Sequence, residues 1–144
     1  KKDKFTWVSG DGIYFVIKKG KIIKTEGLIN NLTHISTHSY FESKDYLLKE
    51  SKDLYKYYYS FDKPLLADLK LDVRYSKLNK EETALVAGSK YLLVTHESIR
   101  NDLIGWNALN KYWTDNDGFV WKSEQVISPK LPKIYIEITK KPSY

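Results

Sequence analysis

Apolar and polar side chains alternate along much of the chain. In LKLDVRYS, residues 69–76, Leu69, Leu71, Val73 and Tyr75 fall on one side of an extended backbone, and Lys70, Asp72, Arg74 and Ser76 on the other. A period of two is the signature of a strand with one wet face. IYFVIK, residues 13–18, alternates in the same way, and a Lys19-Gly20 turn joins it to IIKTE as a hairpin. The short run FTWV and an Asp11-Gly12 turn precede it. Residues 54–61, LYKYYYSF, read as a strand that DKP ends. TALVAG and KYLLVTHES read as a further hairpin through Gly88-Ser89. NKYWTDNDGFVWKSEQVIS follows, with Asn116-Asp117-Gly118 as its turn and Gly118 in the left-handed region. Trp113 and Trp121 flank that turn and are placed to pair across it. KIYIEITKKP closes the chain, with Ile134, Ile136 and Ile138 on one face.

Two stretches break the pattern. GLINNLTHISTHS, residues 27–39, has no clean period and reads as loop. In residues 39–50, Phe41, Leu47 and Leu48 share a helical side, and Ser43 or Asp45 can start a short helix. The chain is therefore expected to be all-β, an antiparallel sandwich or a curved, partly open barrel with at most one or two short helices. Its 144 residues suit one domain, residues 1–144. The abrupt start at KKDKFTW suggests an N-terminally trimmed chain whose targeting segment and first strand lie upstream.

Composition sharpens this picture in few places. The 12 Tyr and 4 Trp suit half-buried sheet positions, since each ring is apolar with a polar tip. The net charge of +6 comes from lysine, because Arg occurs only at Arg74 and Arg100. Recognition of phosphates and base edges favours Arg forks, so the balance points away from nucleic acid and toward acidic polymers or lipid head groups. With no Cys there is neither a disulfide nor a thiolate metal site. No apolar run approaches the ~20 residues of a membrane-spanning helix.

Motifs that would carry chemistry are incomplete. His34 and His38 are four apart, but THISTHS is a poor helix and offers no third ligand. HESIR, residues 96–100, begins like a zinc-protease motif but ends in Arg where the second His should stand. Asp115, Asp117, Gly118 and Glu124 partly mimic a calcium loop, with Trp113 at the first ligand position. A turn built by Asx side chains explains the same residues. There is no nucleophile elbow and no phosphate loop. The expectation is no catalytic residue, no metal and no cofactor. Trp7, Trp106, Trp113, Trp121 and Tyr57 to Tyr59 can stack on sugars, yet sheet packing accounts for most of them. Trp106, Trp113 and Trp121, with Asp115, are the candidate contact residues for a glycan or a partner.

Four stretches carry a resemblance. WVSGDGIYFVIKKGKIIKTEGLINNL, EETALVAGSKYLLVTHE, NKYWTDNDGFVWKSEQVISPKLP and IYIEITKKP, taken in order, resemble the YjbF/GfcB family of group 4 capsule and exopolysaccharide lipoproteins. The central stretch matches with Glu82, Gly88 and Glu97. The resemblance implies an outer-membrane lipoprotein on the periplasmic face, tethered through a lipidated Cys upstream of Lys1. It also implies a non-enzymatic accessory role in polysaccharide assembly or export. Its partners would be an outer-membrane β-barrel protein and a periplasmic protein of the same pathway, with acidic polysaccharide as a further ligand. Two other readings stay open. One is a lipid or acyl carrier, because YWTDNDGFVWKSE also looks like the aromatic hairpins of lipoprotein-sorting half-barrels. The other is a polysaccharide hydrolase or lyase using convergent acids such as Asp115 and Glu124.

Overall fold

The computed structural model describes residues 4–36, 47 and 54–141. Among the described residues ten strands run in chain order: β1 (Lys4–Val8), β2 (Tyr14–Lys18), β3 (Lys21–Glu26), β4 (Leu32–Ser36), β5 (Tyr55–Phe61), β6 (Leu66–Thr83), β7 (Lys90–Asn101), β8 (Trp106–Thr114), β9 (Val120–Gln125) and β10 (Ile134–Glu137). They form a three-stranded sheet, β1-β2-β3, and a curled seven-stranded half-barrel, β10-β9-β8-β7-β6-β5-β4. Every pairing is antiparallel. The all-β curved architecture read from alternation is the observed one.

The smaller sheet packs on the inner face of the larger. Ile17 and Ile22 join Tyr57, Tyr59, Phe61, Leu71, Val73, Ile99 and Tyr112 in the main core. Alternation does the sorting: Leu71, Val73 and Tyr75 of β6 are buried, while Asp72 is half-buried and Arg74 and Ser76 are exposed. The β2–β3 turn uses Lys19 and Gly20 with φ of 52° and 83°, the double left-handed pair of a tight hairpin. That geometry brings Gly20 against β9, where a Cβ would sit 2.2 Å from Val120 Cγ2. Gly20 is thus required twice, for its dihedral and for close approach.

The structure corrects several local expectations. Residues 32–36, read as loop, are β4 and pair with β5. TALVAG contributes only Thr83 to a strand; residues 84–89 are the connection between β6 and β7. β6 is correspondingly longer than the run 69–76. The short helix expected within 39–50 lies outside the described residues. A register shift between Trp113 and Thr114 places Lys122, and not Trp121, opposite Trp113. This bulge puts Trp121 and Lys122 consecutively on the outer face, so the two indoles are neighbours in one cluster without being a cross-strand pair.

Candidate functional site

Each face of the large sheet carries a polar centre. On the inner face Glu97 of β7 is wholly buried, and Lys21 of β3 reaches it with Nζ at 2.9 and 3.1 Å from the two carboxylate oxygens. Asn110 Nδ2 and Tyr112 OH donate to Oε1 at 2.9 Å each, and Tyr75 OH donates to Oε2 at 2.7 Å. Tyr57 OH lies 2.6 Å from Tyr75 OH. The Lys21 ammonium also lies 5.7 and 5.4 Å from the Tyr57 and Tyr59 ring centres. Gln125 extends the knot, accepting from Ile22 N at 3.0 Å and donating to Gly20 O at 2.9 Å. Burial alone would push the Glu97 carboxyl up. The Lys21 charge and the hydrogen bonds from Asn110, Tyr75 and Lys21 overcome this and hold it below its ordinary value. Burial and the Glu97 charge together push the Tyr57 and Tyr59 phenols well up, so both stay neutral. The knot bolts the small sheet to the large one.

This interior bears on the acyl-carrier reading. Among the described residues, Ile17 and Ile22 of the β2–β3 hairpin and Leu47 pack into the core, and the Leu47 carbonyl accepts from Thr95 Oγ1 at 3.1 Å. A buried ion pair at its centre is a poor solvent for hydrocarbon.

On the outer face β8 and β9 gather three of the four candidate contact residues. Trp113 and Trp121 pack with Leu92 and Val94 in a second core, and Leu85, Phe119 and Ile138 lean on it. Asp115 organises the turn: Oδ1 accepts from Asp117 N at 2.9 Å and Phe119 N at 3.0 Å, and Oδ2 from Trp121 Nε1 at 3.0 Å. Lysines cap the rings. Lys90 stands 4.4 Å from the Trp121 ring centre, Lys122 4.7 Å from Trp113 and Lys141 5.0 Å from Phe119. Trp106 is elsewhere, on the inner face, edge-on to Tyr59 and Phe61. The indoles are less accessible than a stacking platform requires: Trp106, Trp113 and Trp121 are 6%, 7% and 9% exposed, whereas Trp7 is 50% exposed. Burial follows from the sheet, whose half-covered faces absorb large rings first. Asp115 and Glu124 do not form a free acid pair. Asp115 is engaged by its turn, and Glu124 lies 3.8 Å from Lys133.

Beside this cluster an open groove of about 460 Å³ is lined by Leu78, Glu81, Val94, His96, Lys111 and Trp113, with Asn79 and Lys80 at its edge. Its origin is local. One extra residue in β6 between Lys77 and Lys80 bulges that strand away from β7. His96 and Lys111 stand directly opposite each other on β7 and β8. Trp113 Nε1 donates to Glu81 Oε1 at 2.9 Å, and Lys80 Nζ to Asn116 Oδ1 at 2.7 Å. Burial first, and the Lys111 charge second, lower the His96 pKa, so its ring is neutral near pH 7. The described residues contain no cluster of three metal-ligating side chains.

The comparisons with known proteins give a family and, separately, a fold. The family model described as group 4 capsule polysaccharide lipoprotein gfcB, YjbF matches residues 1–139. The chain belongs to the YjbF family. The YjbF-family fold is similar to the crystal structure of the hypothetical lipoprotein YmcC from Escherichia coli K12, with a TM-score of 0.82 and 17% identity over 100% of this chain and 75% of that one. At that identity the likeness concerns the fold. No curated protein matches the chain. The YjbF-like stretches of the sequence map onto β1–β3, the β6–β7 pair, the β8–β9 hairpin and β10. Glu97 lies in the second of them; its partner Lys21 lies in the first, 76 residues away.

Proposed function

We propose that this YjbF-family chain is a non-enzymatic accessory lipoprotein for group 4 capsule or exopolysaccharide assembly or export. It is held by a lipid anchor on the periplasmic face of the outer membrane. It works by binding, with an outer-membrane β-barrel protein and a periplasmic protein of the same pathway as partners and polysaccharide as the material handled. The family match over residues 1–139 carries this reading. The site geometry supports it: the buried carboxylate most isolated from water, Glu97, is saturated by structural donors, and Asp115 is saturated by its own turn. Neither is poised to give or take a proton from a substrate. The outer face, with its groove and lysine-capped rings, is the surface available for docking.

Deletion of the gene in its host, followed by extraction and quantification of surface polysaccharide, tests the reading. A marked loss, restored by the wild-type chain, is expected. Unchanged polysaccharide overturns it.

A further inference from the structure

Resting on that reading, we propose that the outer-face groove binds a carboxylate-bearing sugar of an acidic polysaccharide, with Lys111 taking the carboxylate and His96 and Glu81 taking hydroxyls. The groove offers three chemistries within one concavity. Lys111 supplies a cation. Neutral His96 and the Glu81 carboxylate supply hydrogen-bond acceptors, and Trp113 fixes Glu81 in place through its indole N–H. Leu78, Val94 and the Trp113 edge supply apolar wall for the C–H faces of a pyranose. A volume of about 460 Å³ suits one or two sugar units.

The mixture selects the ligand class. A phosphate diester or polyphosphate would find no Arg fork among the groove residues, only single ammonium groups. A neutral sugar would leave Lys111 without a counter-charge. An acyl chain would have to desolvate His96, Glu81 and Lys111 together. A sugar carboxylate with free hydroxyls fits all three walls. Neither Lys111 nor His96 is engaged by the inner knot, because their side chains stand on the opposite face of β8 and β7 from Asn110, Tyr112 and Glu97.

Oligogalacturonate is the probe, with maltohexaose and inorganic polyphosphate as controls, titrated into the full chain at fixed ionic strength. Binding is read from the His96 ring signals, assigned with His96→Gln, and from tryptophan fluorescence. The groups facing His96 are Lys111 on β8 and Lys80 and Glu81 on β6. A bound carboxylate therefore moves the His96 titration upward. Lys111→Glu is expected to weaken oligogalacturonate at least tenfold, Lys111→Ala less, and maltohexaose is expected to bind at least tenfold more weakly than oligogalacturonate. Unmoved His96 signals, full affinity in both Lys111 variants, or polyphosphate binding as tightly as oligogalacturonate would each overturn the proposal. The cellular arm separates it from the broader reading. If deletion abolishes surface polysaccharide and a folded Lys111→Glu chain restores it fully, the groove assignment fails and the accessory role stands. If deletion changes nothing, the accessory role fails, and the groove is judged by the titration alone.

Discussion

The two faces of the seven-stranded sheet use the same residue types to opposite ends. Inside, Lys21 is 2% exposed at its side chain and locked to a Glu97 side chain that is 0% exposed, with tyrosine hydroxyls and an asparagine completing the shell. Outside, Lys90, Lys122 and Lys141 lie over aromatic rings with their ammonium groups near water. Removing two charges from water costs several kcal/mol per ion, and only a saturated shell offsets it. A lysine over a ring at the sheet surface makes a weaker contact, worth about 0.5–1 kcal/mol. The inner face therefore bolts the two sheets together, and the outer face carries a smaller core capped by lysines.

Breaking the inner face has the largest expected effect. Glu97→Ala leaves Lys21 as a buried charge without its partner and strips Asn110, Tyr75 and Tyr112 of their acceptor. It should destabilise the fold by about 3–5 kcal/mol, read from urea unfolding midpoints. A cycle with Lys21→Met should show a coupling of about 0.5–3 kcal/mol. Additive single effects would mean that the pair does not act as a unit.

The same carboxylate gives the pH dependence its sign. Its folded pKa is depressed below the ordinary 4.5, so the unfolded chain takes up the proton first as pH falls. Its contribution is whole above that value and is lost as pH drops through the folded pKa. Stability measured from pH 7 down to pH 3 should fall less steeply in Glu97→Gln than in the wild type. Equal slopes would remove Glu97 as the source.

Gly20 and Gly88 sharpen the contrast between a contact turn and a free one. Both have positive φ, 83° and 110°, but only Gly20 meets another element. Gly20→Ala should cost about 1–3 kcal/mol more than Gly88→Ala, since strain is common to both and the collision with Val120 is not. Equal thermal shifts for the two variants would show that β9 yields at no cost.

The smallest effect belongs to the outer face. Lys122→Ala should cost no more than about 0.5–1 kcal/mol, with a shift in tryptophan emission as the Trp113 ring becomes wetter. A loss as large as that of Glu97→Ala would erase the distinction between the faces.

The division follows what a one-dimensional pattern can carry. Alternation in LKLDVRYS and IYFVIK, and the glycines at positions 20 and 118, determined strands, turns and the all-β class, because strand periodicity and positive φ are properties of neighbouring residues. The β8–β9 hairpin and the role of Asp115 as its organiser were legible for the same reason. The strand at 32–36 was not, since its pairing with β5 comes from the partner and not from its own uneven pattern. The candidate site was legible only in part. Trp113, Asp115 and Trp121 do converge, but Trp106 does not, and the bulge in β6 that shapes the groove and the one in β9 beside Trp121 leave no signature that separates them from regular strand. Lys21 and Glu97 gave no sign at all as a pair. A lone Lys after a turn and a lone Glu in a strand read as solvated charges. Only the closing of one sheet over the other makes them partners, because an ion pair is a matter of distance in space and of the water that folding removes.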